Sequence, residues 1–263
     1  QDFITDPTIA GYYPYNDLYS IGNLNDEISF SFKYKGNPNL TWERSATWNT
    51  GIEFNIADIL EGEVEYYKKT TKDMLFLKQV APSLGYAQYP VNDGKMVNKG
   101  IEFSLTAHII KTNDVNFDIR LNGGHYINKM TQMPIDDTTG KEKPLEIQGG
   151  YGWSKGHSLY DFYMREYAGV DPETGMALYN AYYNVKADGT KDLITDMVTY
   201  QQKNKIEKLE VEKTSNYNDA TKKYVDKSGI PALQGGFGFD LAVKGFELNA
   251  TFSYSLGGYA YDG

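Results

Sequence analysis

The sequence predicts an all-β fold: an antiparallel transmembrane β-barrel segment with long loops and one short loop helix. Three observations predict it. Several segments alternate apolar and polar residues over about 10 to 17 positions, longer than the usual strand and enough to cross a bilayer. The links between these segments are short and long in turn, the asymmetry of membrane barrels with short turns on one side and long loops on the other. No run of about 18 apolar residues offers a transmembrane helix.

The elements follow in order. Glu27 to Tyr34 alternates. From Leu40 to Ile56, Leu40, Trp42, Ala46, Trp48, Ile52, Phe54 and Ile56 share one parity, against Thr41, Glu43, Ser45, Thr47, Asn49, Glu53 and Asn55. Strand side chains point to opposite faces in turn, so this strand has one greasy and one polar face. A weaker strand covers Gly62 to Thr71. Ile101, Phe103, Leu105, Ala107 and Ile109 then alternate with Glu102, Ser104, Thr106 and His108. Val115, Phe117, Ile119 and Leu121 do so with Asn116, Asp118, Arg120 and Asn122. Phe237 to Val243 and Phe246 to Tyr254 repeat the design around Lys244-Gly245, a link of tight-hairpin length. Asp73 to Val97 and residues 130–234 are long, polar links. Within the second, Asn218 to Gly229 has a cap-like start, a polar stretch and a stopping glycine before Pro231, which predicts a short helix. Ala187 to Lys213 reads as surface loop with room for a short hairpin. A soluble extracellular β-sandwich that binds glycans is the alternative, since its strands alternate too.

Composition narrows the function classes. The net charge of −9 argues against binding nucleic acid through its phosphates. Cysteine is absent, which excludes disulfides, zinc-thiolate sites and thiol nucleophiles. Gln1 opens a polar stretch without the basic start and apolar core of a signal peptide. His108, His125 and His157 form no metal-ligand spacing, so no metal or other cofactor is expected. No nucleotide-binding or hydrolase motif appears, and no enzyme activity is expected. Asp171 to Gly175 reads as an ordinary turn rather than a calcium loop.

Five stretches carry a resemblance. NPNLTWE (37–43), YYKKTTKDML (66–75), MVNKGIE (96–102), YAGVDPETGMALY (167–179) and the run from Lys222 to Gly263 resemble, in order, motifs of the SusC/RagA-type TonB-dependent outer-membrane transporters. Ala177 stands where the family usually has proline, and Ser158 to Asp171 departs from its pattern. The resemblance implies a Gram-negative outer-membrane location, a 22-stranded barrel, an N-terminal plug and a TonB-contacting segment. It also implies a SusD-like surface lipoprotein partner and import of an oligosaccharide, or secondly a peptide. All of 1–263 would be barrel without plug or final strands, a C-terminal-half fragment, with residues 130–234 as an extracellular loop region. The polar parity would then line the lumen with Glu53, Glu63, Glu65, Glu102, Asp118, Arg120, Asp240 and Glu247, and with Lys69. The apolar parity would face lipid, with Trp42, Tyr66 and Tyr254 in aromatic girdles. Tyr86, Tyr89, Trp153, Tyr160 and Tyr163 are the loop aromatics expected to touch cargo.

Overall fold

The computed structural model describes residues 15–24, 26–80, 82–86, 88–136 and 139–261. The polar opening at Gln1 and the last two residues lie outside them. The chain forms two compact units, residues 1–46, 70–96 and 131–143, and residues 47–69, 97–130 and 144–263.

Strands β1 (Leu18–Leu24) and β2 (Glu27–Tyr34) form a hairpin. β3 (Arg44–Ile56) and β4 (Leu60–Lys72) follow, joined through Ala57 and Asp58, both at positive φ. β5 (Leu75–Gln79) pairs with β6 (Gln88–Asn92). Next come the long strands β7 (Lys95–Lys111) and β8 (Val115–Gln132), then the two-residue strands β9 (Ile135–Asp136) and β10 (Lys141–Glu142). The stretch expected as loop is itself folded. It holds β11 (Glu146–Gln148), β12 (Tyr151–Trp153), β13 (Asp161–Arg165), β14 (Tyr167–Val170), β15 (Ala177–Val185), β16 (Lys191–Ile194), helix α1 (Met197–Lys203), β17 (Lys208–Thr214) and β18 (Lys222–Ser228). β19 (Leu233–Val243) and β20 (Phe246–Leu256) close the order.

Six strands make one sheet in the order β20-β19-β8-β7-β4-β3, which is also their order along the chain. It is an open sheet, with β20 and β3 at its ends, and the described residues close no barrel. The β19–β20 turn places Lys244 and Gly245 both at positive φ, the backbone whose twist matches that of paired strands. Gly245 carries that conformation without strain.

The helix expectation is corrected. Asn218 to Gly229 contains strand β18, whose Tyr224 lies opposite Tyr163 of β13. The described α-helix is instead α1, capped by the Asp196 side chain accepting from the Thr199 N–H at 2.9 Å. The cap-like residues near 218 serve a turn, with Asn216 donating to Asp219 at 2.8 Å. The predicted strand from Leu40 also starts later, at Arg44. Thr41 spends its backbone N–H and C=O on the Asn92 side chain, at 2.7 and 2.8 Å, and so does not enter the sheet there.

Among the described residues the buried apolar ones include Tyr34, Met130, Met133, Phe162, Tyr163, Ala181, Ile194 and Ala220. They lie at strand ends and in the small sheets, not across the middle of the six-stranded sheet.

Candidate functional site

The six-stranded sheet has two chemically opposite faces. Register puts Phe237 opposite Leu121 and Phe252, and Leu241 opposite Phe117 and Leu248. Asp240 lies between Asp118 and Asn249, and Gly236 between Asn122 and Ser253. Close approaches extend the same assignment to the other strands. A Cβ at Gly62 would meet Leu105 and Phe54, on the apolar face. One at Gly51 would meet Glu65, and one at Gly124 would meet Glu102, on the polar face. With strand alternation, Glu53, Glu63, Glu65, Glu102, Asp118, Arg120, Asp240 and Glu247 all share the polar face.

The apolar face is open. Trp48, Ile52, Ile101, Phe237, Phe246, Leu248 and Phe252 are exposed, Phe246 at 83% and Ile52 at 71%. A sandwich would bury such residues against a second sheet. Burial of a large aliphatic or aromatic side chain stabilises by about 1.5–3 kcal/mol, so a row of them left in water is costly. A hydrocarbon environment removes that cost.

The polar face holds ion pairs. Arg120 grips Asp240 with two nitrogens, at 2.8 and 3.1 Å, and Asn249 also donates to Asp240. The His108 ring contacts Asp118 at 2.7 Å on one side and Glu61 at 3.8 Å on the other. Nearer the long links, a depression of about 660 Å³ is lined by Glu63, Glu65, Glu102, Asn122, Gln234 and Ser255 among others. Among the described residues no group of three or more His, Cys, Asp or Glu is placed to hold a metal ion.

The loop aromatics fall in both units. In the first unit Tyr86 meets Tyr89 edge-on at 6.0 Å and Phe32 at 6.3 Å. In the second, Trp153 donates to the Leu159 carbonyl at 3.0 Å and Tyr160 is 46% exposed. Tyr163 is buried, its hydroxyl donating to Asp196 and accepting from the Val198 N–H. In this structure Tyr163 packs the loop and offers no free ring. Of the girdle candidates, Trp42 is 82% exposed, Tyr66 packs edge-on against Trp48, and the Tyr254 hydroxyl reaches the Asn122 carbonyl at 2.8 Å.

The motifs resolve into latches. Asn37 donates to the Pro90 carbonyl at 2.9 Å and accepts from the Asn39 N–H. Glu43 accepts from the Leu75 N–H, and Arg44 pairs with Asp73 at 2.6 Å. Asn92 ties Thr41 to the Asp73 carbonyl. The first motif therefore fastens the β5–β6 hairpin. Asn98 accepts from buried Asn128 at 2.7 Å, and Asn128 accepts from the Leu159 N–H and Ser158 hydroxyl. Residue-by-residue reading missed this joint. Its one signal was an asparagine on a polar strand face beside a glycine. Asp171 accepts from the Glu173 N–H and Thr174 hydroxyl, and Gly175 closes the turn onto the Asp171 carbonyl at 2.8 Å with φ of 71°. All these Asp171 bonds are internal to a hairpin turn.

Loop anchoring carries a pH prediction. Burial pushes the Asp161 carboxyl up, but hydrogen bonds from His157, the Ser158 N–H and Ser228 outweigh it and hold the group below the usual carboxylate range. A lowered folded value stabilises above the unfolded value, about 4. That contribution is lost as pH falls through the folded value. Trp153 fluorescence, read as the difference between the protein and its Trp153→Phe variant, is expected to change below about pH 4. In Asp161→Asn this transition should vanish; a transition that persists refutes the assignment.

Comparisons place the chain among known proteins. Residues 6–261 match the family model of the TonB dependent receptor-like β-barrel. TonB-dependent receptor P3 of Formosa agariphila is 27% identical over 84% of this chain and 21% of its own length. TonB-dependent receptor SusC of Bacteroides thetaiotaomicron is 26% identical over 68% of this chain and 19% of its own. The RagAB peptide importer in its closed-closed state superposes with a TM-score of 0.75, at 28% identity, over 94% of this chain and 25% of that one. Its open-open state gives 0.72. The chain thus spans 19 to 25% of the length of these proteins. With motifs, strand order and opposed faces in agreement, the chain belongs to the TonB-dependent receptor β-barrel family, on its SusC/RagA branch.

Proposed function

We propose that the six-stranded sheet is a wall sector of a 22-stranded outer-membrane barrel that imports an oligosaccharide or a peptide. Its apolar face meets lipid and its polar face meets the lumen. One observation carries this reading: a sheet with exposed Trp48, Ile52, Phe246 and Phe252 on one side and the Arg120–Asp240 and His108–Asp118 pairs on the other. That is the inverse of a water-soluble sandwich and the pattern of a membrane barrel.

Residues 130–234 form the extracellular region, joined to the sheet through Asn128. Tyr86, Tyr89, Trp153 and Tyr160 remain the loop aromatics proposed for cargo contact. Tyr163 joins them only if the loop opens. Energy comes from TonB through a part of the protein beyond this chain, and a SusD-like lipoprotein sits on the outside. Kinship with a peptide importer supports the peptide class, and the motif resemblance to the SusC/RagA type supports the oligosaccharide class. No sugar-bond or peptide-bond chemistry is assigned to the chain.

A strain lacking the gene should lose growth on one oligosaccharide or peptide source, and regain it with the full-length gene. The full-length product should fractionate with the outer membrane. A product that stays in aqueous solution without detergent would refute the barrel reading and favour the glycan-binding sandwich.

A further inference from the structure

The β14–β17 sheet has a free edge whose geometry specifies an occupant. β15 is paired on both sides, by β17 along one edge and by β14 and β16 along the other. β17 pairs with β15 alone.

The direction of its backbone groups follows from β15. Asn180 donates its N–H to the Glu166 carbonyl and accepts from the Thr221 N–H, both at 3.0 Å. Tyr182 donates its N–H to the Thr221 hydroxyl at 2.8 Å. Backbone groups of Asn180 and Tyr182 therefore point away from β17. Alternate residues of an antiparallel strand point to opposite sides, so Tyr179, Ala181, Tyr183 and Val185 point toward β17. Their register partners are Thr214, Glu212, Glu210 and Lys208. The intervening residues, Leu209, Val211 and Lys213, direct N–H and C=O outward, and among the described residues nothing pairs with them.

Such a row is completed by another extended main chain, not by a sugar or a lipid. The side chains agree. On one face Lys191 neutralises Glu210 and Glu212, at 2.9 and 2.7 Å, and Lys208 adds to Glu210 at 2.8 Å. On the other face Leu209 and Val211 are 41% and 54% exposed. The strip thus carries little field of its own and offers apolar contact to alternate residues of an added strand. Lysines at 208 and 213 discourage unlimited strand stacking, as edge lysines do.

We infer that the β17 edge captures peptide cargo by strand addition, through the outward groups of Leu209, Val211 and Lys213. The inference rests on the import reading and names its cargo class as extended peptide, recognised by main chain and therefore tolerant of sequence.

The test uses the full-length transporter with its lipoprotein partner in detergent. The probe is a fluorescein-labelled synthetic peptide of alternating valine and threonine, read by anisotropy. Val211→Pro deletes an outward N–H and leaves the ladder to β15 intact, since proline is tolerated where an edge strand's N–H faces outward. Val211→Thr keeps the N–H. Binding should weaken about tenfold in the proline variant and hold in the threonine variant. N-methylating every second peptide residue should abolish binding in one register and spare it in the other. This series needs only the wild-type protein, so it decides the matter even if the proline variant unfolds. Equal peptide binding by wild type and Val211→Pro, with no register effect of methylation, overturns the proposal. So does a proline variant that sheds the lipoprotein while binding peptide normally. A wild-type protein that imports an oligosaccharide yet binds no peptide sinks this inference alone, whereas failure to import any nutrient sinks the import reading.

Discussion

Gly235→Ala is expected to break the pairing of β8 with β19. Gly235 lies directly opposite Gly123. A Cβ at 235 would land on the Asn122 carbonyl oxygen and 2.7 Å from the Gly123 Cα. Both are backbone atoms of the neighbouring strand and cannot rotate aside. The space left by the two glycines is already used: the Tyr254 hydroxyl lies over them and donates to Asn122 at 2.8 Å, and Phe103 flanks Gly123. An aromatic ring covering a strand glycine is a known way to pin register. Overpacking of this kind costs about 3 kcal/mol or more, because backbone must move. In the full-length transporter the substitution should lower the folded fraction, seen as loss of the compact band in an unheated gel, and lower the urea midpoint. Gly124→Ala is the contrast. Its nearest neighbour is the flexible Glu102 side chain at 3.3 Å, and its cost should stay below about 1 kcal/mol. Equal stability of the two variants would show that the glycine pair sets nothing.

Asn128→Ala is expected to release the segment from Ser154 to Asp161 from the end of β8. Asn128 is 4% exposed and joins three segments by side-chain bonds, to Asn98, Ser158 and Leu159. Backbone bonds between Met130 and Gly156 and between Met130 and His157, each 2.8 Å, run alongside. Alanine leaves the Leu159 N–H and the Asn98 oxygen without these partners in a part-buried site. Each such group costs about 1–3 kcal/mol, so the local loss should be near 3 kcal/mol. Hydrogen exchange at Leu159 should quicken by about two orders of magnitude, since each 1.4 kcal/mol is a factor of ten. Strand β19 should keep its protection, because its bonds to β8 and β20 do not pass through Asn128. Unchanged exchange at Leu159 would mean that the backbone bonds alone hold the segment.

The two variants separate what was legible from what was not. The alternating patterns Val115 to Asn122 and Phe237 to Val243 fall in β8 and β19, and the glycines at 123 and 235 lie just beyond their ends. The glycine-to-tyrosine contact depends on register, which no single strand displays. Asn98 was visible as part of a motif, but its partner lies 30 residues away and its role emerged only in space. The stretch near Asn218 misled because its cap-like residues suit a turn as well as a helix. Tyr224 of that stretch found an aromatic neighbour in Tyr163 and a stacked ring in His157 at 3.6 Å, and those contacts favour a strand. Tyr163 itself reads as a loop aromatic and is buried, because Asp196 and Val198 arrive to satisfy its hydroxyl.

Period-two alternation is a property of consecutive residues, so the alternating segments, their two faces and their short links can be read from the chain in one dimension. Residues 37–43, 96–102 and 167–179 likewise kept a recognisable order. Burial, pairing and the destination of each polar group depend on residues far apart in the chain. The open lipid-like face, the latch at Asn92, the joint at Asn128 and the unpaired edge of β17 arise from that long-range pairing, which hydrogen-bond geometry decides and local propensity does not.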